Sequence, residues 1–102
     1  MDEGGLIIES GDLRVDIASR RLFIGSRFVF LRNKEFSLLE YLLRNPNRVL
    51  TRTQILEDVW DRNIFCSTNT VDVHMRSLRK KLGTDLNQSI RTVHCVGYIF
   101  ES

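Results

Sequence analysis

Residues 69–100, NTVDVHMRSLRKKLGTDLNQSIRTVHCVGYIF, decide the fold. The first half has the period of an amphipathic helix: Val71, Met75, Leu78 and Leu82 recur within one narrow sector at 3.6 residues per turn. Asn69, Val73, Arg76, Ser77 and Lys80 fall on the opposite side. The spacing predicts a helix over 70–82 that anchors one face in a core and offers a cationic, donor-rich ridge on the other. Gly83 suits the C′ position that stops it. The second half predicts a hairpin, with strands at 90–93 and 98–101 paired across His94-Cys95-Val96-Gly97. The major groove of B-DNA admits one α-helix, and guanidinium, ammonium and amide groups suit base edges and phosphates. A solvated surface helix carries the same pattern, so the ridge alone leaves both readings open.

Upstream, the first third reads as β. Runs at 6–8, 13–17, 21–24 and 28–31 are rich in Val, Ile, Leu and Phe, and Ser10-Gly11-Asp12, Ala18-Ser19-Arg20 and Gly25-Ser26 are turns between them. Such close spacing predicts a small antiparallel sheet of hairpins rather than parallel βαβ units. Two more helices follow. Residues 34–44 carry Phe36, Leu39, Leu42 and Leu43 on a broad apolar face, with Asn33 as the expected cap and Pro46 preventing continuation. Thr51 and Gln54 have the spacing of a capping box that opens a helix over 52–60, with Ile55, Leu56, Val59 and Trp60 inward. Arg48-Val49-Leu50 leaves room for one short bridging strand. The order sheet, three helices, hairpin is the layout of a winged helix.

Composition narrows the alternatives. A chain of 102 residues, 42% hydrophobic and 27% charged, is one globular domain able to bury a core unaided. No apolar run approaches a membrane span, and the acidic start MDEGG argues against a signal peptide, so the expected location is the cytoplasm. The net charge of +2 is unevenly placed: residues 1–60 balance nine Lys/Arg against nine Asp/Glu, whereas residues 61–102 carry six against four. The whole excess therefore lies in the half that holds the basic helix.

Cys66 and Cys95 are the only cysteines and form no CxxC pair, which predicts free thiols. Cys66, His74, His94 and Cys95 have the ligand types of a zinc site, but their spacing matches no zinc motif, so no metal or other cofactor is expected. There is no nucleophile–base–orienter set, Gly-rich phosphate loop or paired-carboxylate motif, so the reading is non-enzymatic.

Three segments in register, LRNKEFSLLEYLLRNPNRVLTRTQILEDVW, NTVDVHMRSLRKKL and IRTVHCVGYIF, resemble the OmpR/PhoB-type DNA-binding effector domain of two-component response regulators. The resemblance runs essentially from end to end. It implies an α+β winged helix-turn-helix: an N-terminal four-stranded antiparallel sheet, a three-helix core and a C-terminal β-hairpin wing. It also implies sequence-specific binding of double-stranded DNA in a phosphorelay-controlled transcription factor, usually as a head-to-tail dimer on direct repeats. The phosphorylatable receiver domain that precedes this one in the family is not in the sequence, which reads as a fragment of a longer regulator or else as a protein that acts without phosphorylation.

Carried over position by position, the resemblance implies DNA contacts from the third, recognition helix. Arg76 matches a DNA-contacting position, and Arg79 one that binds phosphate. Asn69 stands where Arg is frequent, its amide either reaching a base edge or capping the helix. His74 matches a position against the DNA backbone, with a packed histidine as the alternative, and Val73, Ser77 and Lys80 lie on the exposed ridge. Arg52 matches a phosphate contact. Trp60 matches an indole donor to phosphate, though a core role is equally open. Asp72 is expected to orient an arginine such as Arg76, and Lys81 to be a solvated charge. The loop 61–68 matches one that touches RNA polymerase, with Asp61, Ile64 and Phe65 as contacts or, for the two apolar residues, as loop packing; the alternative function is a protein-interaction winged-helix module that docks RNA polymerase or another partner through this loop. Two departures stand out. The wing has His94 and Cys95 in place of an arginine and a glycine, which weakens a minor-groove contact and predicts a different turn. Arg32 replaces a helix-capping Thr or Ser.

Overall fold

The computed structural model describes residues 6–60, 67–83 and 89–102, together with the backbone of 84–87. Its first four strands, β1 (Ile7–Ser10), β2 (Leu13–Asp16), β3 (Arg21–Ile24) and β4 (Arg27–Val29), form an antiparallel sheet in chain order. The register sets Val15 against Leu22 and Leu22 against Val29. Leu13, Val15, Leu22 and Val29 thereby enter the core, while Phe23 and Phe28 pair on the outer face with ring centroids 5.7 Å apart. The β3–β4 hairpin turns at Gly25-Ser26 as the sequence predicts, with Gly25 at φ 61°.

Helix α1 (Asn33–Arg44) buries Phe36, Leu38, Leu39, Leu42 and Leu43, which makes it the central helix. Its cap is Arg32, not Asn33, and the reason is a competing partner for the Asn33 side chain. The Asn33 Oδ1 accepts from the Arg20 guanidinium at 2.9 Å, so it is not available to the helix start. Glu35 reaches back instead and accepts from the Arg32 backbone N–H at 2.9 Å. Arg20 sits at φ 54°, a conformation costly for a residue with a Cβ. Its further contacts, to the Asn33 carbonyl at 3.0 Å and Ser37 Oγ at 3.1 Å, and its place 4.4 Å above the Phe36 ring, hold it there.

After β5 (Leu50–Thr51), Thr51 caps α2 (Arg52–Val59) by accepting from the Gln54 N–H at 3.0 Å, as the capping-box spacing predicts. Ile55 is fully buried, whereas Leu56, Val59 and Trp60 are only half-buried against the core. Helix α3 (Asn69–Asn87) is broken at Gly83, whose φ of 87° ends the regular helix after Leu82. The chain closes with β6 (Ile90–Val93) and β7 (Gly97–Phe100), and a second sheet runs β5-β7-β6. Gly97 belongs to the strand rather than to the turn. It pairs with Thr51, and a Cβ there would lie 1.9 Å from the Leu50 carbonyl oxygen. The wing thus shares a sheet with the residues that lead into α2.

Candidate nucleic-acid interface

In α3, Val71, Met75, Leu78 and Leu82 are 0–2% exposed. Asn69, Val73, Arg76 and Lys80 are exposed on the other side, Val73 at 53%. These four are spaced by four, three and four residues, so they form one straight ridge along the helix. The ridge is narrower than the sequence implies, because both flanks of the helix are engaged with the rest of the domain.

On the α1 flank, Ser77 Oγ donates to Glu35 Oε2, and Lys81 Nζ lies 2.6 Å from Glu35 Oε1. Ser77 therefore turns toward α1 rather than standing on the ridge. Lys81 is not a solvated charge but the counter-ion of a buried carboxylate. Burial pushes the Glu35 carboxyl up, but the hydrogen bonds from Lys81, Ser77 and the Arg32 N–H outweigh it and leave the group below its ordinary value.

On the wing flank, Asp72 accepts from Arg52 Nε at 2.8 Å and from the Tyr98 hydroxyl at 2.6 Å. Its hydrogen-bonded arginine is Arg52, not Arg76 as expected, because α2 enters the site beside it. Arg76 acts on the carboxylate only through space. Burial raises the Asp72 carboxyl, and the Tyr98 and Arg52 hydrogen bonds bring it below the ordinary carboxylate value. Arg79 donates from Nη2 to the Ile90 carbonyl at 2.9 Å and to Thr92 Oγ1 at 2.8 Å, with its guanidinium 5.2 Å from the Tyr98 ring centroid. It braces α3 against β6, and its Nε is buried without a partner among the described residues. Arg76, Arg79, Asp72 and Tyr98 line an open notch of about 320 Å³ beside the ridge.

His74 and Trp60 meet edge to face with centroids 5.0 Å apart. The His74 Nδ1 lies 2.8 Å from the Thr70 carbonyl, which can only accept, so Nδ1 carries the proton and Nε2 is the nitrogen left for another partner. Lys34 Nζ donates to the Val59 carbonyl at 3.2 Å and closes the end of α2 next to this pair. The histidine and the indole are thus both half-buried packing groups with one edge outward.

At the wing tip His94, Cys95 and Val96 are exposed. The Val96 N–H donates to the Val93 carbonyl at 2.9 Å, and Cys95 occupies the third position of that turn at φ 63°. The expectation that Cys95 avoids positive φ is overturned: the tight turn imposes the left-handed conformation on a residue with a Cβ. The Arg52 N–H reaches the Val96 carbonyl at 3.3 Å and ties the wing to the first turn of α2. Asp61, Ile64, Phe65 and Cys66 lie outside the described residues. Among the described residues no three His, Cys, Asp or Glu side chains converge on a metal-sized space, and no helix is long and apolar enough to cross a membrane.

The sequence reading passed over Glu35 and Tyr98. A signal for Glu35 was present in the sequence, since it falls inside the apolar arc of Phe36, Leu38, Leu39 and Leu42, and the structure buries it to 2% exposure. Tyr98 gave none, because an aromatic in a strand is ordinarily core.

The family described as "Transcriptional regulatory protein, C terminal" matches residues 25–100. The chain is 41% identical over 98 residues to the sensory transduction protein RegX3 of Mycobacterium leprae, covering 94% of this chain and 50% of that protein. It spans about half the length of the curated relatives it matches, 43% in the case of the Rhizobium meliloti phosphate regulon regulator PhoB. Among solved structures it superposes on response regulator DrrB of Thermotoga maritima, an OmpR/PhoB homologue, with TM-score 0.83 and 32% identity over 94% of this chain and 44% of that one. It also superposes on the Klebsiella pneumoniae RstA DNA-binding domain, crystallised with the RstA box, with TM-score 0.81 and 28% identity over 93% and 96% of the two chains.

Proposed function

Because this chain belongs to the transcriptional regulatory protein C-terminal family, we propose that it is the DNA-reading effector domain of a response regulator in a two-component phosphorelay. The observation that carries the proposal is the ridge of Asn69, Val73, Arg76 and Lys80, left outward while every other face of the helix is engaged. In this reading α3 lies in the major groove. Arg76, in the middle of the ridge, reads a base edge, the Asn69 amide reads or caps, and Lys80 neutralises phosphate. Arg52 has its Nε held by Asp72, which fixes the plane of its guanidinium and leaves the remaining N–H groups for a phosphate oxygen. His94 at the wing tip runs alongside the adjoining groove. The domain works by binding and not by catalysis, in the cytoplasm, as a head-to-tail pair on direct repeats. RNA polymerase is the protein partner assigned to the loop 61–68.

Selection of bound duplexes from a random pool, at one fixed salt concentration, tests the reading directly. It predicts an enriched motif that recurs at a fixed spacing. Retention of all sequences alike, with affinity set only by salt, would reduce the ridge to a non-specific cationic surface.

A further inference from the structure

Glu35 is the buried charge among the described residues, and the DNA reading above makes no use of it. Each of its carboxylate oxygens is committed. Oε1 accepts from the Arg32 N–H at 2.9 Å and from Lys81 Nζ at 2.6 Å, and Oε2 accepts from Ser77 Oγ. Ser77 and Lys81 are one turn apart on α3, each next in sequence to a ridge residue, Arg76 and Lys80. A single carboxylate on the central helix therefore grips the recognition helix at two successive turns.

An ion pair with a buried carboxylate is a poor source of net stability, because desolvation of the Glu35 charge and partial desolvation of Lys81 offset much of the Coulomb gain. What it does supply is direction. Apolar contacts between α1 and α3 are non-directional and tolerate sliding or rolling, whereas hydrogen bonds hold only within a narrow range of distance and angle and are lost on a shift of an ångström or more. We propose that Glu35 is a positioning residue for DNA readout: it sets the roll of α3, and so the aim of Asn69 and Arg76, from behind the helix and without facing the groove. The inference rests on the DNA-binding reading. A roll of about 20° swings a side chain some 5–6 Å from the helix axis through about 2 Å. That displacement breaks a bidentate contact to a base edge, while a long lysine still reaches phosphate. Loss of the clasp should therefore remove discrimination and spare general affinity for DNA.

The test compares Glu35→Leu and Glu35→Gln with the parent 102-residue protein, on the duplex that the parent selects and on a scrambled duplex, at one salt concentration, with thermal unfolding in parallel. Glu35→Leu fills the site with an apolar group, and Glu35→Gln keeps the volume and an acceptor for Ser77 while removing the ion pair. Both keep every cation of the parent. The expected result is a folded protein that binds the scrambled duplex within about threefold of the parent while its preference for the selected duplex falls about tenfold or more. Should Glu35→Leu fail to fold, Glu35→Gln decides by the same ratio. A preference within threefold of the parent overturns the inference. So does an equal loss on both duplexes, which would mark Glu35 as a packing residue only. A parent protein that itself prefers neither duplex sinks the DNA reading, and this inference with it.

Discussion

The family resemblance implies that Arg79 binds phosphate, while in the structure it braces α3 against β6, and replacing it by alanine weighs the two roles. The guanidinium makes one half-shielded, charge-assisted hydrogen bond to the Ile90 carbonyl and one more exposed bond to Thr92 Oγ1, and it lies against the Tyr98 ring. The first contributes roughly 1.5–2 kcal/mol and the second, in contact with water, about 0.5 kcal/mol. The ring contact adds about 0.5 kcal/mol. Against these stands the buried, unpartnered Nε, whose lost hydration costs about 1 kcal/mol and is relieved by truncation. Arg79→Ala should thus destabilise the domain by about 2 kcal/mol, which for a chain of this length lowers the unfolding midpoint by roughly 8–16 °C. The assay pairs thermal unfolding followed by circular dichroism with duplex affinity measured across a range of salt. With Arg79 bracing helix to wing, the salt slope should stay within a few tenths of the parent's, since no phosphate partner is lost. An unchanged midpoint together with a salt slope lower by about one unit would refute the strut and assign Arg79 to phosphate.

Arg76→Ala should leave the unfolding midpoint unchanged, cost about 1–3 kcal/mol on the selected duplex and relax preference at one position; parent-like selection would take Arg76 out of the readout. Asp72→Asn should destabilise by about 1 kcal/mol at neutral pH. Because the folded Asp72 carboxyl is held below its unfolded value of about 3.9, its contribution is complete above that pH and disappears as pH falls through the lower folded value, so the urea stabilities of parent and variant should converge in acid. An offset that persists undiminished at pH 2 would rule out the ionised carboxylate as its origin. Gly97→Ala places a methyl on the Leu50 carbonyl and should cost about 3 kcal/mol or more, read as a lowered urea midpoint; a change below about 1 kcal/mol would mean that β5 and β7 separate freely.

The sequence made the elements legible wherever one periodicity ruled. The sector of Val71, Met75, Leu78 and Leu82 became the buried face of α3, and Gly83 ended its regular helix. Strand β3, the Gly25-Ser26 turn and the Thr51 cap stand where their local chemistry puts them. Partners across the fold were not legible. Asn33 has the chemistry of a cap, yet Arg20, thirteen residues earlier, takes its side chain. Asp72 lies four residues from Arg76, the natural partner on one helix, but Arg52 and Tyr98 converge on it from α2 and β7. Lys81 looks like surface charge because the carboxylate it neutralises is 46 positions away. Local pattern predicts which face of an element turns inward, and only the tertiary arrangement decides which polar groups meet. Three ridge residues, Asn69, Arg76 and Lys80, stay exposed polar groups because, among the described residues, no other element covers them.

That ridge also has a length. From Asn69 to Lys80 is eleven residue steps, roughly 16 Å of helix, the rise of about five base pairs. Five positions specify a word that recurs about once in a thousand by chance, whereas a chromosome presents on the order of 10⁶ or more competing positions. One helix of this reach is therefore informationally too short to address a single promoter. Two copies reading adjacent words would square the odds to about one in a million, so on the proposed reading the narrowness of the exposed strip would turn pairing on DNA from a matter of affinity into a condition for having an address at all.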